Sequence, residues 1–432
     1  MEVEIEKMGF DGVGIGHLND GRVLFVKKVA PGDSVEIELT DQKKDFAFGV
    51  AKKVIKPSEM RIDPPCKYFY QCGGCEHQNI SYENQLKIKE DLVRESLQRQ
   101  KIEANVLPIV AGSDKELYYR NSIRFMFLQD DKNDIQFARH SYPDDKELTI
   151  VDKCLLQSEK SNLILEKLKK YINDNIVEKK SFWQLKIREG KRTNEMMIEV
   201  ITSSNDLPGE KGIVEILKNI DGIKSIYHTI APGKSLLKLR RRLIFGSPII
   251  QEKIGSYTFQ ISPESFFQTN SEGIKTLYDK IKEFANIKIG DEVIDLFCGT
   301  GSIGIYLSTL TKKVIGIEVV PEAIRDARDN AKLNKINNIE FVCQNANNLA
   351  IGQYKNCIFI VDPPRAGLSK ELIQKLSDAK WQRLIYVSCN PATFARDLKY
   401  FGMVGVVAKK IQPIDMFPQT HHTEIVAELL KK

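Results

Sequence analysis

Glu292-Val293-Ile294-Asp295-Leu296-Phe297-Cys298-Gly299-Thr300-Gly301-Ser302-Ile303-Gly304 decides the fold of this chain. An apolar run of strand length carries an acid, enters a glycine turn and continues into a helix. Glycines at such a turn let a ligand approach the backbone at a helix N-terminus. Three further buried-looking runs follow: Val314 to Glu318, Cys357 to Asp362, and Leu384 to Val387. Strand alternating with helix predicts a mostly parallel, doubly wound sheet over residues 255–432 within an α/β protein. Sheets of this kind bind ligands at the carboxyl ends of their strands, where these runs carry candidate functional residues.

The 432 residues, 42% hydrophobic and 28% charged, suit a folded protein of two or three domains. Residues 1–56 read as short strands between glycine turns, and Val35-Glu36-Ile37-Glu38-Leu39 alternates with period two. That pattern predicts an OB-like β-barrel. Residues 57–254 read as a central α+β domain holding a cysteine cluster. Within it, a helix over 82–100 is expected to show Leu86, Leu92, Val93 and Leu97 on one side and Lys and Glu on the other, with the catalytic domain as a possible packing partner. The acidic start is no signal peptide, and no run approaches the roughly 18 apolar residues of a membrane span. A cytoplasmic protein with no membrane partner and no obligate protein partner is expected. The net charge of +6 permits a polyanion. The stretch Lys234 to Arg242, with Arg120, Arg124 and Arg139, reads equally as a solvated face or a phosphate-binding surface.

A glycine turn alone also fits a dinucleotide. Asp295 and the segment Asp362-Pro363-Pro364-Arg365 suit a cationic sulfonium better than a pyrophosphate, so S-adenosylmethionine is the expected ligand. Glu318 ends the next strand, where an acid holds ribose hydroxyls. In Ser388-Cys389-Asn390-Pro391, Asn390 suits a helix cap and Pro391 its first turn. Cys389 is therefore expected at the positive end of a helix dipole, favouring thiolate. Glu424, in another apolar strand, adds a possible base, and the pair suggests covalent catalysis. The bland alternative is a small buried cysteine. Cys66, Cys72 and Cys75 crowd into ten residues and, with Cys154, suit zinc or an iron–sulfur cluster. A zinc ribbon normally shows two CxxC pairs, and only Cys72 and Cys75 form one. In Ser265-Phe266-Phe267-Gln268-Thr269-Asn270 the aromatics read as core, or as a stacking platform for a flipped base with Gln268 on its amide-like edge.

Taken together, the chain resembles the RNA (uracil-5-)methyltransferases, in particular the branch acting on 23S ribosomal RNA. The resemblance spans essentially the whole chain and implies that residues 255–432 form a Rossmann-like class I methyltransferase domain. It rests on the TRAM-like N-terminal barrel, the four cysteines, SFFQTN, DLFCGTGSIG, GIE, DPPR, SCNP and HHTE. It implies a [4Fe–4S] cluster on Cys66, Cys72, Cys75 and Cys154, with Cys389 as nucleophile and Glu424 as base. It also implies Gln268, Phe297, Gly299, Gly301, Glu318, Asn345 and Asp362 around S-adenosylmethionine and the target uracil. Ser302 stands where the family often has Asn, and Asn345 where Asp or a similar residue often touches the adenine.

Uracil C5 is too poor a nucleophile to attack a sulfonium methyl directly. Addition of a thiolate to C6 makes C5 an enolate carbon, and a base must later remove the C5 proton. Glu424 is the expected base, with His421 or His422 as fallback. Asp362 is expected on the uracil N3–H or on the cofactor. The cluster is expected to be structural, ordering an RNA-binding loop, because methyl transfer requires no electron. Rival expectations are a T-loop uridine of transfer RNA as target, amino- or N-methylation, and a non-catalytic RNA-binding assembly factor. Amino- and N-methylation would leave Cys389 and Glu424 without a task.

Overall fold

The protein, described by a computed structural model over all 432 residues, divides into two compact units. The first comprises Met1–Gln85, Lys115–Glu252 and Pro418–His421; the second comprises Leu86–Asp114, Lys253–Phe417 and His422–Lys432. No helix is long and apolar enough to cross a membrane.

In the first unit, six strands between Glu2 and Lys56 form one sheet. Strand Ser34–Gln42 shows why: Val35 and Ile37 are buried while Glu36 and Glu38 face solvent, the alternation that pleating imposes. A second sheet of seven strands spans Ser122 to Gly246. Only Glu195–Thr202 and Ile223–Ile230 pair in parallel there, joined by the crossover helix Glu210–Lys218. Residues 57–81, which carry three of the cysteines, contain no regular strand or helix.

The second unit is built on an eight-stranded sheet. Five strands are parallel, in the spatial order Ile339–Cys343, Lys313–Glu318, Glu292–Leu296, Ile358–Val361, Arg383–Ser388. Glu424–Lys431 and Val406–Asp415 follow antiparallel, and Val110–Ala111 closes the edge. The parallel strands are predominantly apolar because helices cover both faces, with charged residues such as Glu292, Lys313 and Glu318 mainly at strand ends. Their core includes Ile294, Phe359, Tyr386, Phe394 and Ile425, all fully buried. Each such side chain contributes about 1.5–3 kcal/mol.

The helix expected over 82–100 runs Tyr82–Arg99. One residue departs from its expected face. Lys89 is fully buried, with Nζ donating to Asp415 Oδ1 at 2.6 Å and to the Phe417 carbonyl at 3.1 Å. A lysine enters a core only where a counter-charge meets it, and Asp415, 326 positions away, supplies one.

Candidate active site

Four parallel strands deliver their chemistry to one edge of the second unit's sheet. Asp295 lies in the central strand, Glu318 ends its neighbour, and Asp362 and Cys389 directly follow the next two. The antiparallel register sets Ser388 opposite Ile425, so one step further places Cys389 beside Glu424. On the other side, Val361 pairs with Tyr386, bringing Asp362 to the same end. Asn390 caps the helix Pro391–Met403, accepting from the amides of Ala392 (2.9 Å) and Thr393 (3.4 Å). Cys389 is half-buried, not sealed in the core.

The electrostatics are those of acids held out of water. Burial, then Asp362, pushes the Glu424 carboxyl up to about 8, with Arg365 opposing. Burial alone lifts Asp362 to about 6. Burial, then Asp362, raises Asp295 to about 8. The Cys389 thiol is itself pushed up to about 11, first by burial and then by Glu424 and Asp362, while Arg365 pulls it down. The thiolate expected from the helix dipole is therefore not the resting form. A dipole term of about 0.3–1 kcal/mol is outweighed by desolvation and two carboxyls. Two raised carboxyls beside one thiol, with Asp295 raised in turn by Asp362, form a place that favours a cation.

The glycine turn is shaped for a ligand. Phe297 adopts φ 63°, unusual for a bulky residue, and Gly299 and Gly301 adopt 53° and 76°. A Cβ on Gly299 would meet nothing within 4 Å, whereas one on Gly301 would strike Phe341 and Ala327. Asp295 Oδ2 accepts from Gly304 N at 3.1 Å, tying strand to helix. Glu318 is oriented by the amides of Gly299 (3.2 Å), Val319 (2.7 Å) and Val320 (3.0 Å). Ser302 Oγ and the buried Tyr278 hydroxyl lie 2.6 Å apart. Asn345 is exposed and its side chain accepts from Asn347 N at 2.9 Å. Gln268 is half-buried; Phe267 is core, while Phe266 stands 72% exposed.

Sequence reasoning gave no role to Arg365, although DPPR contains it. Its guanidinium lies 3.0 Å from the His422 ring and biases both Cys389 and Glu424. His421, the other fallback base, lies in the first unit with its ring 3.3 Å from Glu76. Of the basic stretch, Arg241 pairs with Glu199 and Arg242 with Glu210, while Lys234 and Lys238 are exposed.

In the first unit Cys66, Cys72, Cys75 and Cys154 are free thiols lining one small cavity, together with Gln78 and Arg139. Gln78 Nε2 donates to Cys75 Sγ at 3.1 Å. Burial, and Cys154 after it, pushes the Cys75 thiol well up, with the Gln78 hydrogen bond opposing. No group of three or more His, Cys, Asp or Glu side chains is arranged to hold a metal ion.

Residues 81–432 match the tRNA (uracil-5-)-methyltransferase family, and residues 1–52 match the TRAM domain. The chain belongs to the tRNA (uracil-5-)-methyltransferase family. Among its relatives is an RNA methyltransferase of Halalkalibacterium halodurans, 35% identical over 99% of this chain and 96% of that one. Another, from Caldanaerobacter subterraneus subsp. tengcongensis, is 33% identical over 99% and 97%. The crystal structure of the Pyrococcus abyssi tRNA (uracil-54, C5)-methyltransferase, in complex with S-adenosyl-L-homocysteine, is similar over 100% of both chains, with TM-score 0.80 and 29% identity. The protein is thus a SAM-dependent RNA (uracil-5-)methyltransferase with an N-terminal TRAM domain.

Proposed function

We propose that the protein methylates C5 of a specific uridine in 23S ribosomal RNA through a covalent bond between Cys389 and uracil C6. The observation that carries the covalent chemistry is the register that sets Cys389 beside Glu424 with Asp362 on the adjoining strand, while the choice of 23S ribosomal RNA rests on the resemblance of the sequence motifs. Cys389 gives its proton to solvent, to which the sulfur is half open, and adds to C6 of a base looped out of its stack. C5, now an enolate carbon, attacks the sulfonium methyl; the C5–CH3 bond forms as the S–CH3 bond breaks, and S-adenosylhomocysteine leaves with the bond's electron pair. Glu424 takes the C5 proton, the C5–C6 double bond re-forms, and Cys389 leaves as thiolate. Gln268, Phe297, Gly299, Gly301, Glu318, Asn345 and Asp362 hold the methyl donor and the base, and Asp362 also answers the sulfonium charge.

Cys66, Cys72, Cys75 and Cys154 hold a [4Fe–4S] cluster, which when bound fastens residues 66–75 to the strand-rich core around Cys154. The four-thiol cavity supports this reading.

A second target has its own support. The Pyrococcus abyssi enzyme, similar along its full length, acts on uracil-54 of transfer RNA, which favours the corresponding T-loop uridine here. Mapping 5-methyluridine in ribosomal and transfer RNA from cells with and without the protein decides between them. A site lost from 23S rRNA upholds the proposal; a site lost only from transfer RNA replaces it with the second reading.

A further inference from the structure

Arg365 stands in the loop that follows the strand Ile358–Val361, and successive residues of this loop are fixed to the helix Pro391–Met403. Thr393 Oγ1 donates to the Arg365 carbonyl at 3.1 Å, and Arg396 Nη2 donates to the Ala366 carbonyl at 2.7 Å. The buried Asp397 accepts from Leu368 N and from the Tyr386 hydroxyl, each at 2.7 Å. Gly367 adopts φ 73° and packs so closely that a Cβ there would strike Asp397 and Arg396. The helix starts directly after Cys389 and its cap Asn390, so the Arg365 backbone is tied to the element that Cys389 leads into. The Arg365 side chain is exposed, and its Nη2 lies 3.0 Å from Nδ1 and 3.2 Å from Nε2 of His422, two residues before Glu424. The Phe417 ring meets that imidazole edge-on, with centroids 6.1 Å apart. Arg365 is thus fastened at its backbone and at its guanidinium to segments that border Cys389 and Glu424, all within the second unit.

We propose that Arg365 is a positioning residue for the methyl-transfer reaction: its fixed guanidinium charge readies Cys389 to attack. This rests on the reading of Cys389 as the nucleophile. The thiol must lose its proton to solvent and keep the S–H electron pair, which then forms the bond to uracil C6. Two acids oppose the charge that results, Glu424 from the neighbouring strand and Asp362 from the loop, and Arg365 favours it. The same guanidinium favours the ionised form of Glu424. Acids that suit a sulfonium work against a thiolate, and Arg365 reconciles the two demands. His422 then serves as the support of the guanidinium.

The test compares Arg365→Met, Arg365→Lys and the parent protein by iodoacetamide alkylation between pH 7 and pH 9.5, following the Cys389 peptide by mass spectrometry. Methionine removes the charge and lysine restores it, while the exposed Cys343 serves as an internal reference. Arg365→Met should alkylate Cys389 about 3- to 10-fold more slowly at each pH, which displaces the profile upward by about half to one unit. Cys343 and the melting temperature should stay unchanged, and Arg365→Lys should recover most of the rate. At saturating RNA from cells lacking the protein, single-turnover methylation by Arg365→Met should fall by a similar factor, with RNA affinity kept. Unchanged alkylation of Cys389 in Arg365→Met overturns the proposal, as does an equal loss in Arg365→Lys. A methylation loss that saturating RNA restores assigns Arg365 to RNA binding and overturns it too. Methylation retained by Cys389→Ala would instead defeat the nucleophile reading, whatever the alkylation profiles show.

Discussion

Glu424 illustrates how burial sets the chemistry of one residue. Its carboxyl titrates near 8 in the folded protein against 4.5 for an ordinary glutamate. As a base it must be ionised, so single-turnover product release should rise about tenfold between pH 7 and pH 9. A flat profile across that range would contradict the assignment. Stability moves the other way. A carboxyl raised on folding binds its proton more tightly in the native state, so its contribution is whole below 4.5 and lost as pH rises through 8. Glu424→Gln should therefore melt above the parent protein at pH 8.5 and show no such advantage at pH 4.5; a lower melting temperature at both would show the shift has another origin. The two turn glycines also separate. Both positions hold a positive φ that strains alanine, but Gly299→Ala otherwise meets open space and should weaken binding of the methyl donor with only that strain against the fold, whereas Gly301→Ala also strikes Phe341 and should destabilise the protein further. Calorimetric titration and thermal melting on both variants check this. Glu424 and both glycines were legible in sequence because strand ends and turns are local. The thiol at Cys389 was misread as thiolate because the carboxyls that oppose ionisation, Asp362 and Glu424, arrive from other strands.

Elements carry the same lesson about distance in sequence. The parallel strands of the second unit could be read directly, since strands covered on both faces are continuous apolar runs. The seven-stranded sheet of the first unit was legible only as a mixture. Its central pairing, Gln184 with Met126, joins segments that share no local signal. Helix Tyr82–Arg99 was found by its period, but Lys89 was placed in solvent because its partner Asp415 lies on a distant strand. That pair is fully buried, and removing one partner leaves a charge in the core. Lys89→Met should cost about 3–5 kcal/mol in chemical denaturation, and Lys89→Met with Asp415→Leu should restore most of it. A single variant as stable as the parent would mean the ion pair does not hold the helix to the sheet.

At the scale of the whole molecule, the TRAM domain, the cysteine loop and the methyltransferase sheet were each announced by sequence, while their division into two units was not. The segment Pro418–His421, which groups with the first unit in the midst of second-unit sequence, leaves no pattern of its own. Only hydrogen bonds spanning more than 300 residues, such as Gln85 to Gln419, disclose it. The proposed chemistry turns on a single bond between protein and RNA. The most direct measurement traps that bond by incubating the protein with S-adenosylmethionine and RNA containing 5-fluorouridine, whose C5 fluorine cannot be removed as a proton. The adduct is then digested and its linked peptide sequenced by mass spectrometry. The account predicts a methylated nucleotide attached to Cys389 and no adduct in Cys389→Ala. Attachment at any other residue, or methylation that persists without Cys389, would contradict it.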